Sequence, residues 1–387
     1  MQGTSLLAGT WNIIDLGTLG GSETFANGIN DSGQVVGTSR LPDDSGSHAF
    51  YYSDGVMHDI APINSGDIRG GPLALNNLGH IASGVVVGGA YYPAIYEPQG
   101  MRTTTLGSLG CSSGFTGVAT ALNDSGVAVG YSYLNSGNRH AFVYRGGLMT
   151  DLGSLGGYSG ALAINSSGMI AGFASQTPNG SSRAVVWQNN SILDISNGLE
   201  SEARGINEFG QVVGEAMTPL GNRQAFLWDN GTSQYLGTLP TGRNSEAYSI
   251  NNQGDIVGTA DVISSLSFVT NPINGNITII TNFQDHAFLY QNGTMFDLNN
   301  MISTNSGWQF YYAFGINNSD QIVGWGSLDG GEHFRSFILE VPEPSVPMLL
   351  MPAAAILVFR RFGKMSRRRN LRDSSAGRTG LKPKAVP

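Results

Sequence analysis

Short apolar runs alternate with short polar turns along this chain, and the alternation repeats. A branched apolar residue, an Asn, three turn-forming residues and an apolar pair ending in Gly occur seven times. The copies read INDSGQVVG from Ile29, LNNLGHIASG from Leu75, LNDSGVAVG from Leu122, INSSGMIAG from Ile164, INEFGQVVG from Ile206, INNQGDIVG from Ile250 and INNSDQIVG from Ile316. A second phrase follows each copy: HAFYY at His48, PAIYE at Pro93, HAFVY at His140, RAVVW at Arg183, QAFLW at Gln224, HAFLY at His286 and RSFIL at Arg335. After most of these come a Gly, a few residues, and Asp-Leu-Gly or a variant. Self-similarity at a fixed period marks a propeller, solenoid or array, and it outranks any local motif.

Each unit reads as four strands. Small and apolar residues before the Asn form the first. The three residues after it form a hairpin turn, with Gly last at Gly33, Gly79, Gly126, Gly168, Gly210 and Gly254, and Asp320 in the seventh copy. Gly takes positive φ at little cost, and Asp320 less easily. Val35-Val36 and its equivalents start the second strand, and the HAFYY-type runs make the third. Stretches ending at Asp59, Asp151, Asp194 and Asp297 make the fourth. In the third strand Phe50 and Tyr52 point one way, Ala49 and Tyr51 the other, so both faces need cover. Blades stacked about an axis supply it. Two places before each Asn the residue is always small: Gly28, Ala74, Ala121, Ala163, Gly205, Ser249 and Gly315. Such side chains suit strands crowded near an axis.

The seventh unit stops at Ile338-Leu339-Glu340 without a fourth strand, while the chain opens with an orphan one, Trp11 to Gly17. Pairing the two closes a ring and removes two sheet edges. The prediction is an all-β fold, a seven-bladed β-propeller over residues 11–340 closed by the N-terminal strand. The alternative is a β-solenoid with two coils per unit. Residues 1–10 read as a linker or the remnant of an export signal, because they lack a basic start and a long apolar stretch.

The phrases resemble the HAF family of extracellular repeats, named for the triplet seen at His48, His140 and His286. The resemblance covers residues 11–340. It implies a location outside the cell more than it implies a mechanism.

Charge divides the chain. Residues 1–359 hold ten Arg and no Lys against 27 Asp and Glu, a net charge of −17. The last 28 residues hold ten Lys and Arg against Asp373 alone. An acidic, lysine-free repeat region is a poor partner for nucleic acid, whose affinity comes chiefly from cations on phosphates. With 55 Gly and 40% hydrophobic residues the composition is turn-rich β rather than disorder. The single cysteine, Cys111, leaves no intrachain disulfide, so blade stacking must supply the stability.

Beyond the repeats, Pro342-Glu343-Pro344 precedes an uncharged run from Val346 to Phe359, and Arg360-Arg361 ends it. Residues 341–361 resemble a PEP-CTERM sorting signal. That family's signal is read by an exosortase-type membrane transpeptidase, which implies a protein held transiently in the membrane by its C-terminus and then released or attached at the cell surface. The run is 14 residues long, short of the roughly 20 of a comfortable helical span. Basic residues after it would hold that end in the cytoplasm. Residues 362–387 continue past the point where the family's tail usually stops and read as a basic, disordered extension.

Catalytic signals are thin. The HAF-type histidines give way to Pro93, Arg183, Gln224 or Arg335 in other units, so they build no ring of metal ligands. The repeated Asp reads as a hairpin or backbone-capping residue. No metal or cofactor is expected. The repetition fails in two places, and function is sought there. Glu202, Arg204 and Glu246 stand on the first strands of units five and six; they are expected to be surface ion pairs, or a polar cluster if they face the central funnel. The link from second to third strand in unit six is lengthened to Thr259–Asp285 and reads as an extra hairpin, with Phe268, Asn271, Asn274, Asn276 and Phe283 as candidate ligand contacts. These features fit a non-enzymatic surface or matrix protein that binds an extracellular polysaccharide or a protein. They also admit a secreted carbohydrate-active enzyme using Glu202 and Glu246 as an acid pair, or a structural spacer.

Overall fold

The computed structural model describes residues 11–60, 74–270 and 277–340, and apart from three short 3₁₀ turns every regular element in them is a strand. The strands form seven four-stranded antiparallel sheets, six of them meanders from an inner to an outer strand and the seventh completed by the N-terminal strand. Blade three is typical, with Gly117–Leu122, Ala128–Tyr133, Arg139–Arg145 and Leu148–Gly153. This is the seven-bladed propeller the repeats predict; the solenoid alternative falls.

The two apolar faces of the third strand explain the stacking. Phe50 and Tyr52 pack toward blade seven with Val323 and Ile338, and Ala49 and Tyr51 toward blade two with Ile81 and Tyr96. Seven buried clusters result among the described residues, one between each pair of neighbouring blades. No blade has a core of its own. Each is stable only between neighbours, which is why the ring must close.

Closure uses the orphan strand. Asn12–Asp15 pairs antiparallel with Phe334–Glu340, in the register Asn12 to Glu340, Ile13 to Leu339, Ile14 to Ile338 and Asp15 to Phe337. Trp11 and Leu16 flank it and are buried in the clusters on either side of blade seven. Asp15 also receives Arg335 at 2.8 Å. The same contact recurs within other blades at a spacing of eleven residues: His48 with Asp59, His140 with Asp151, Arg183 with Asp194 and His286 with Asp297. Arg335 has Val346 at that spacing, and the N-terminal strand supplies the missing carboxylate. The Asp residues cap backbone as expected, as in Gly153 N–H to Asp151 at 2.7 Å.

The repeated Asn joins blade to blade. Its Nδ2 donates to the backbone carbonyl of the equivalent Asn in the next blade: Asn30 to Asn76, Asn76 to Asn123, Asn123 to Asn165, Asn165 to Asn207, Asn207 to Asn251, Asn251 to Asn317, and Asn317 back to Asn30, at 2.9–3.4 Å. Its Oδ1 accepts from two amides of its own turn, as Asn207 does from Phe209 and Gln211. The seven form a closed collar at one end of the axis. The longest step, 3.4 Å from Asn251, enters the turn that carries Asp320, which does take positive φ at 61°.

A bulge interrupts the inner strand of six blades, one residue before the small position; in blade one it falls between Ala26 and Gly28. The Gly that ends the apolar pair of the second strand answers it. A Cβ on Gly214, Gly258 or Gly324 would lie 1.9 Å from the carbonyl oxygen of Glu202, Glu246 or Tyr312. Only glycine admits that approach.

In blade six the lengthened link is not a separate hairpin. The second and third strands themselves continue, as Ile256–Thr270 and Ile277–Gln291, and pair along their whole length. Once the two strands leave the blade, continuing the ladder satisfies their backbone groups. The segments 1–10, 341–361 and 362–387, the sorting residues Pro342, Glu343, Pro344, Arg360 and Arg361, and the candidate contacts Asn271, Asn274 and Asn276 lie outside the described residues. Among the described residues no helix is long and apolar enough to cross a membrane.

Candidate functional site: the open mouth of the axial channel

The axis is a channel of about 1070 Å³, and its lining includes all seven small residues, Gly28, Ala74, Ala121, Ala163, Gly205, Ser249 and Gly315. The bulged residues line it too: Asn27, Thr120, Leu162, Arg204, Tyr248 and Phe314. A bulge re-aims a side chain, and here it turns toward the axis residues that plain alternation would send elsewhere. The two ends differ. The Asn collar closes around one. At the other lie the starts of the inner strands and, opposite them in register, the ends of the second strands: Phe25 with Thr38, Glu202 with Glu215, Glu246 with Thr259 and Tyr312 with Trp325.

Aromatic rings cover this mouth from blade six through blade seven to blade one. Tyr248 stacks on Phe314 at 4.7 Å between centroids, and Tyr312 lies 4.4 Å from Trp325. Trp325 meets Phe334 at 4.8 Å and Phe25 at 5.4 Å, both edge to face. Across the channel Arg139 covers Tyr131 at 4.6 Å and Phe173 at 5.1 Å. Tyr248, Tyr312, Phe314, Trp325 and Phe334 are large and partly exposed, which is the composition of a binding surface rather than of a core, while Phe25 and Phe173 are buried.

Blade five contributes charge. Arg204 grips Glu215 through two hydrogen bonds, of 2.6 and 2.7 Å, and also reaches Glu202 at 3.2 Å. Arg223 joins Glu215 at 3.5 Å and Glu200 at 3.0 Å. Glu215 is 0% exposed. Burial raises its carboxyl above the ordinary value, and the Arg204 hydrogen bonds pull it back. Burial likewise works against the Arg204 charge, but Glu215 outweighs it and holds the guanidinium protonated. Three carboxylates share two guanidiniums, and the buried one, Glu215, is met by both. Removing one partner would strand a buried charge.

The two tyrosines of the aromatic wall are donors to carboxylates. Tyr248 donates to Glu246 at 2.9 Å and Tyr312 to Asp285 at 2.5 Å. Burial first, and the adjacent carboxylate second, push both phenol pKa values up, so both remain neutral hydroxyls at physiological pH. Each pair leaves carboxylate oxygens free to accept further hydrogen bonds.

The residues singled out in the sequence are thus partly brought together. Glu202 and Arg204 form the expected ion pair, partly exposed, but Arg204 is bonded chiefly to the buried Glu215, and Glu246 accepts from Tyr248 instead. Glu215, Tyr248, Tyr312, Phe314 and Trp325 were missed. Phe283 and Phe268 stand on the lengthened strands of blade six, and Arg243 lies over the Phe283 ring at 4.9 Å. The histidines of the HAF triplets bond the repeated Asp, on third and fourth strands away from the axis. Among the described residues no group of three or more His, Cys, Asp or Glu is placed to hold a metal ion.

No protein-family model matches the chain, and no curated protein matches it in sequence. Solved structures do share its architecture. An oligogalacturonate lyase from Vibrio parahaemolyticus is 8% identical with a TM-score of 0.53, covering 86% of this chain and 98% of the lyase. A puromycin-hydrolysing peptidase from Mycobacterium tuberculosis is 10% identical with a TM-score of 0.50, covering 87% of this chain and 57% of the peptidase. The β-propeller domain of the Trilobed protease from Pyrococcus furiosus is 7% identical with a TM-score of 0.48, covering 83% and 95%. At such identities the likeness is one of fold alone.

Proposed function

We propose that this is a non-catalytic carbohydrate-binding propeller that works outside the cell. The observation that carries the reading is the aromatic wall of Tyr248, Tyr312, Phe314, Trp325 and Phe25 at one channel mouth. Aromatic faces match the C–H faces of sugar rings, and the Tyr–carboxylate pairs beside them accept hydrogen bonds from sugar hydroxyls. Arg204 is already held by Glu215 and Glu202, and Glu246 and Asp285 by tyrosine hydroxyls, which suits a ligand that brings no strong charge. The net charge of −17 over residues 1–359 argues against polyanions, nucleic acid included.

Export is inferred from the sequence: the HAF resemblance over residues 11–340, and the Pro342-Glu343-Pro344 signal with Arg360-Arg361, to be read by an exosortase-type transpeptidase. In a host with that enzyme the mature protein should lack everything after the Pro-Glu-Pro region, and replacing Glu343 should block the cut. Surface protein that still carries Lys382 to Pro387 by mass spectrometry would defeat this part.

The binding reading is tested on a glycan array with the wild-type chain and Trp325→Ala. Wild type should bind a defined glycan class, and Trp325→Ala should lose most of the signal while keeping its fold. Absence of any glycan binding, or equal binding by both, would overturn it. Cleavage of a bound glycan that stops in Glu246→Gln or Glu202→Gln would replace it with the enzyme reading.

A further inference from the structure

We infer that the site takes an extended, uncharged glycan chain, lying from the channel mouth out along the lengthened strands of blade six; this rests on the carbohydrate-binding reading above. Three observations carry it. First, those strands leave the blade at the aromatic end. Ser245 of the inner strand pairs with Ala260, so residues beyond Ala260 project past the mouth and away from the Asn collar. Their root touches the wall, since Asp285 receives the Tyr312 hydroxyl.

Second, the register sorts the projecting ribbon into two faces. Asp261 opposes Asp285, and Ile263 opposes Phe283; a bulge at Ser264 then shifts the pairing so that Leu266 opposes Thr281 and Phe268 opposes Ile279. Alternation from Asp285 through Phe283 and Thr281 to Ile279 keeps these residues on one side of the ribbon. Leu266, Phe268 and Ile279 on that side are 52%, 65% and 59% exposed. The other side is mixed: it carries Ser265, Ser267 and Asn282, where Asn282 bonds Ser265 at 2.9 Å, together with Val262 and the exposed Ile280. An apolar stripe therefore runs from the Tyr312–Asp285 contact out to Phe268 and Ile279.

Third, no residue from Val262 to Gln284 is charged. Exposed two-stranded edges are usually guarded by charge, most often lysine, and this ribbon has none. A stripe whose own residues beyond the Asp285 root are uncharged, with Arg243 over Phe283 near that root and hydroxyls and amides beside it, fits successive rings of a neutral polymer. A ligand of one or two sugar rings would need only the mouth.

The test uses the full chain on an array of neutral glucans, mannans, galactans and xylans, each as disaccharide and as octasaccharide, with uronic-acid and sulfated chains alongside. The wild type should favour the octasaccharide of its preferred class by about tenfold or more. The triple variant Leu266→Ser, Phe268→Ser, Ile279→Ser should lose that length dependence and keep its disaccharide signal and melting temperature. Equal binding of both lengths by wild type, or a length dependence that survives in the triple variant, overturns the inference and leaves the carbohydrate reading standing. Binding confined to acidic glycans overturns the inference as well. No glycan signal at all sinks both. A wild-type mass of two chains that falls to one in the triple variant would assign the stripe to a second copy instead.

Discussion

Truncating Asn207 isolates what the collar contributes. The side chain is 3% exposed and makes four hydrogen bonds: Nδ2 to the Asn251 carbonyl at 3.0 Å and to Gln211 at 2.7 Å, and Oδ1 from the amides of Phe209 and Gln211 at 3.1 and 3.0 Å. Asn207→Ala removes all four and leaves buried backbone groups without partners. At about 1 kcal/mol per bond, less where water reaches the exposed turn, the loss is roughly 3 kcal/mol. A domain of this size should then melt lower by roughly 4 °C. Thermal denaturation followed by near-ultraviolet circular dichroism reads this directly. Asn77→Ala is the control: it belongs to an outer ring of exposed hydrogen bonds with Asp31 and Asp124, and should cost under about 1 kcal/mol. Asn207→Asp separates donor from acceptor. It keeps Oδ1 but sets a carboxylate against the Asn251 carbonyl, so its folded pKa is raised and its deficit relative to wild type should shrink as the pH falls through that value. If Asn207→Ala melts within 2 °C of wild type, or no lower than the control, the amide collar does not hold the blades together.

Removing residues 1–17 should cost roughly 5 kcal/mol or more, because it exposes the Phe334–Glu340 edge and takes Trp11 and Leu16 from two cores. An unchanged melting temperature would rule out this closure. Gly324→Ala should destabilise by about 3 kcal/mol or prevent folding, since its Cβ would meet the Tyr312 carbonyl oxygen at 1.9 Å; a soluble variant of wild-type stability would refute the bulge argument. Acid should weaken the ring. Burial opposes ionisation of Asp194 and Asp297, but hydrogen bonds from Ser196 and Arg183, and from His286 and Asn299, outweigh it and hold both carboxyls below their ordinary value of 3.8. Their contribution is complete above that value and is lost as pH falls through the lowered one, so Asp194→Asn with Asp297→Asn should flatten the stability curve below about pH 4.

Blade number, strand count and ring closure were legible because each leaves a local mark: a turn Gly, a two-faced apolar strand, an orphan WNIIDLG. The role of the repeated Asn was not, because its partner is a backbone carbonyl one blade away, and a carbonyl has no sequence signature. The His–Asp contact was half legible. His48, His140, Arg183 and His286 each have Asp eleven residues on, and the two positions fail together where Gln224 has Tyr235, and Pro93 has Thr104, at that spacing. The channel wall was hidden by the bulge. Strict alternation hides the placement of Tyr248 and Phe314, and nothing local announces the extra residue. Its one trace is variability: Asn27, Thr120, Leu162, Arg204, Tyr248 and Phe314 differ, while the residue on either side stays small.

Hydrogen–deuterium exchange with and without the glycan that an array selects tests the central claim most directly. The account predicts added protection where ligand covers the mouth: in the inner strands Ser245–Ile250 and Trp308–Ile316, around Trp325, and along Val262 to Phe268. Protection confined to outer strands such as Leu148–Gly153 and Thr232–Gly237, with the mouth unchanged, would contradict it.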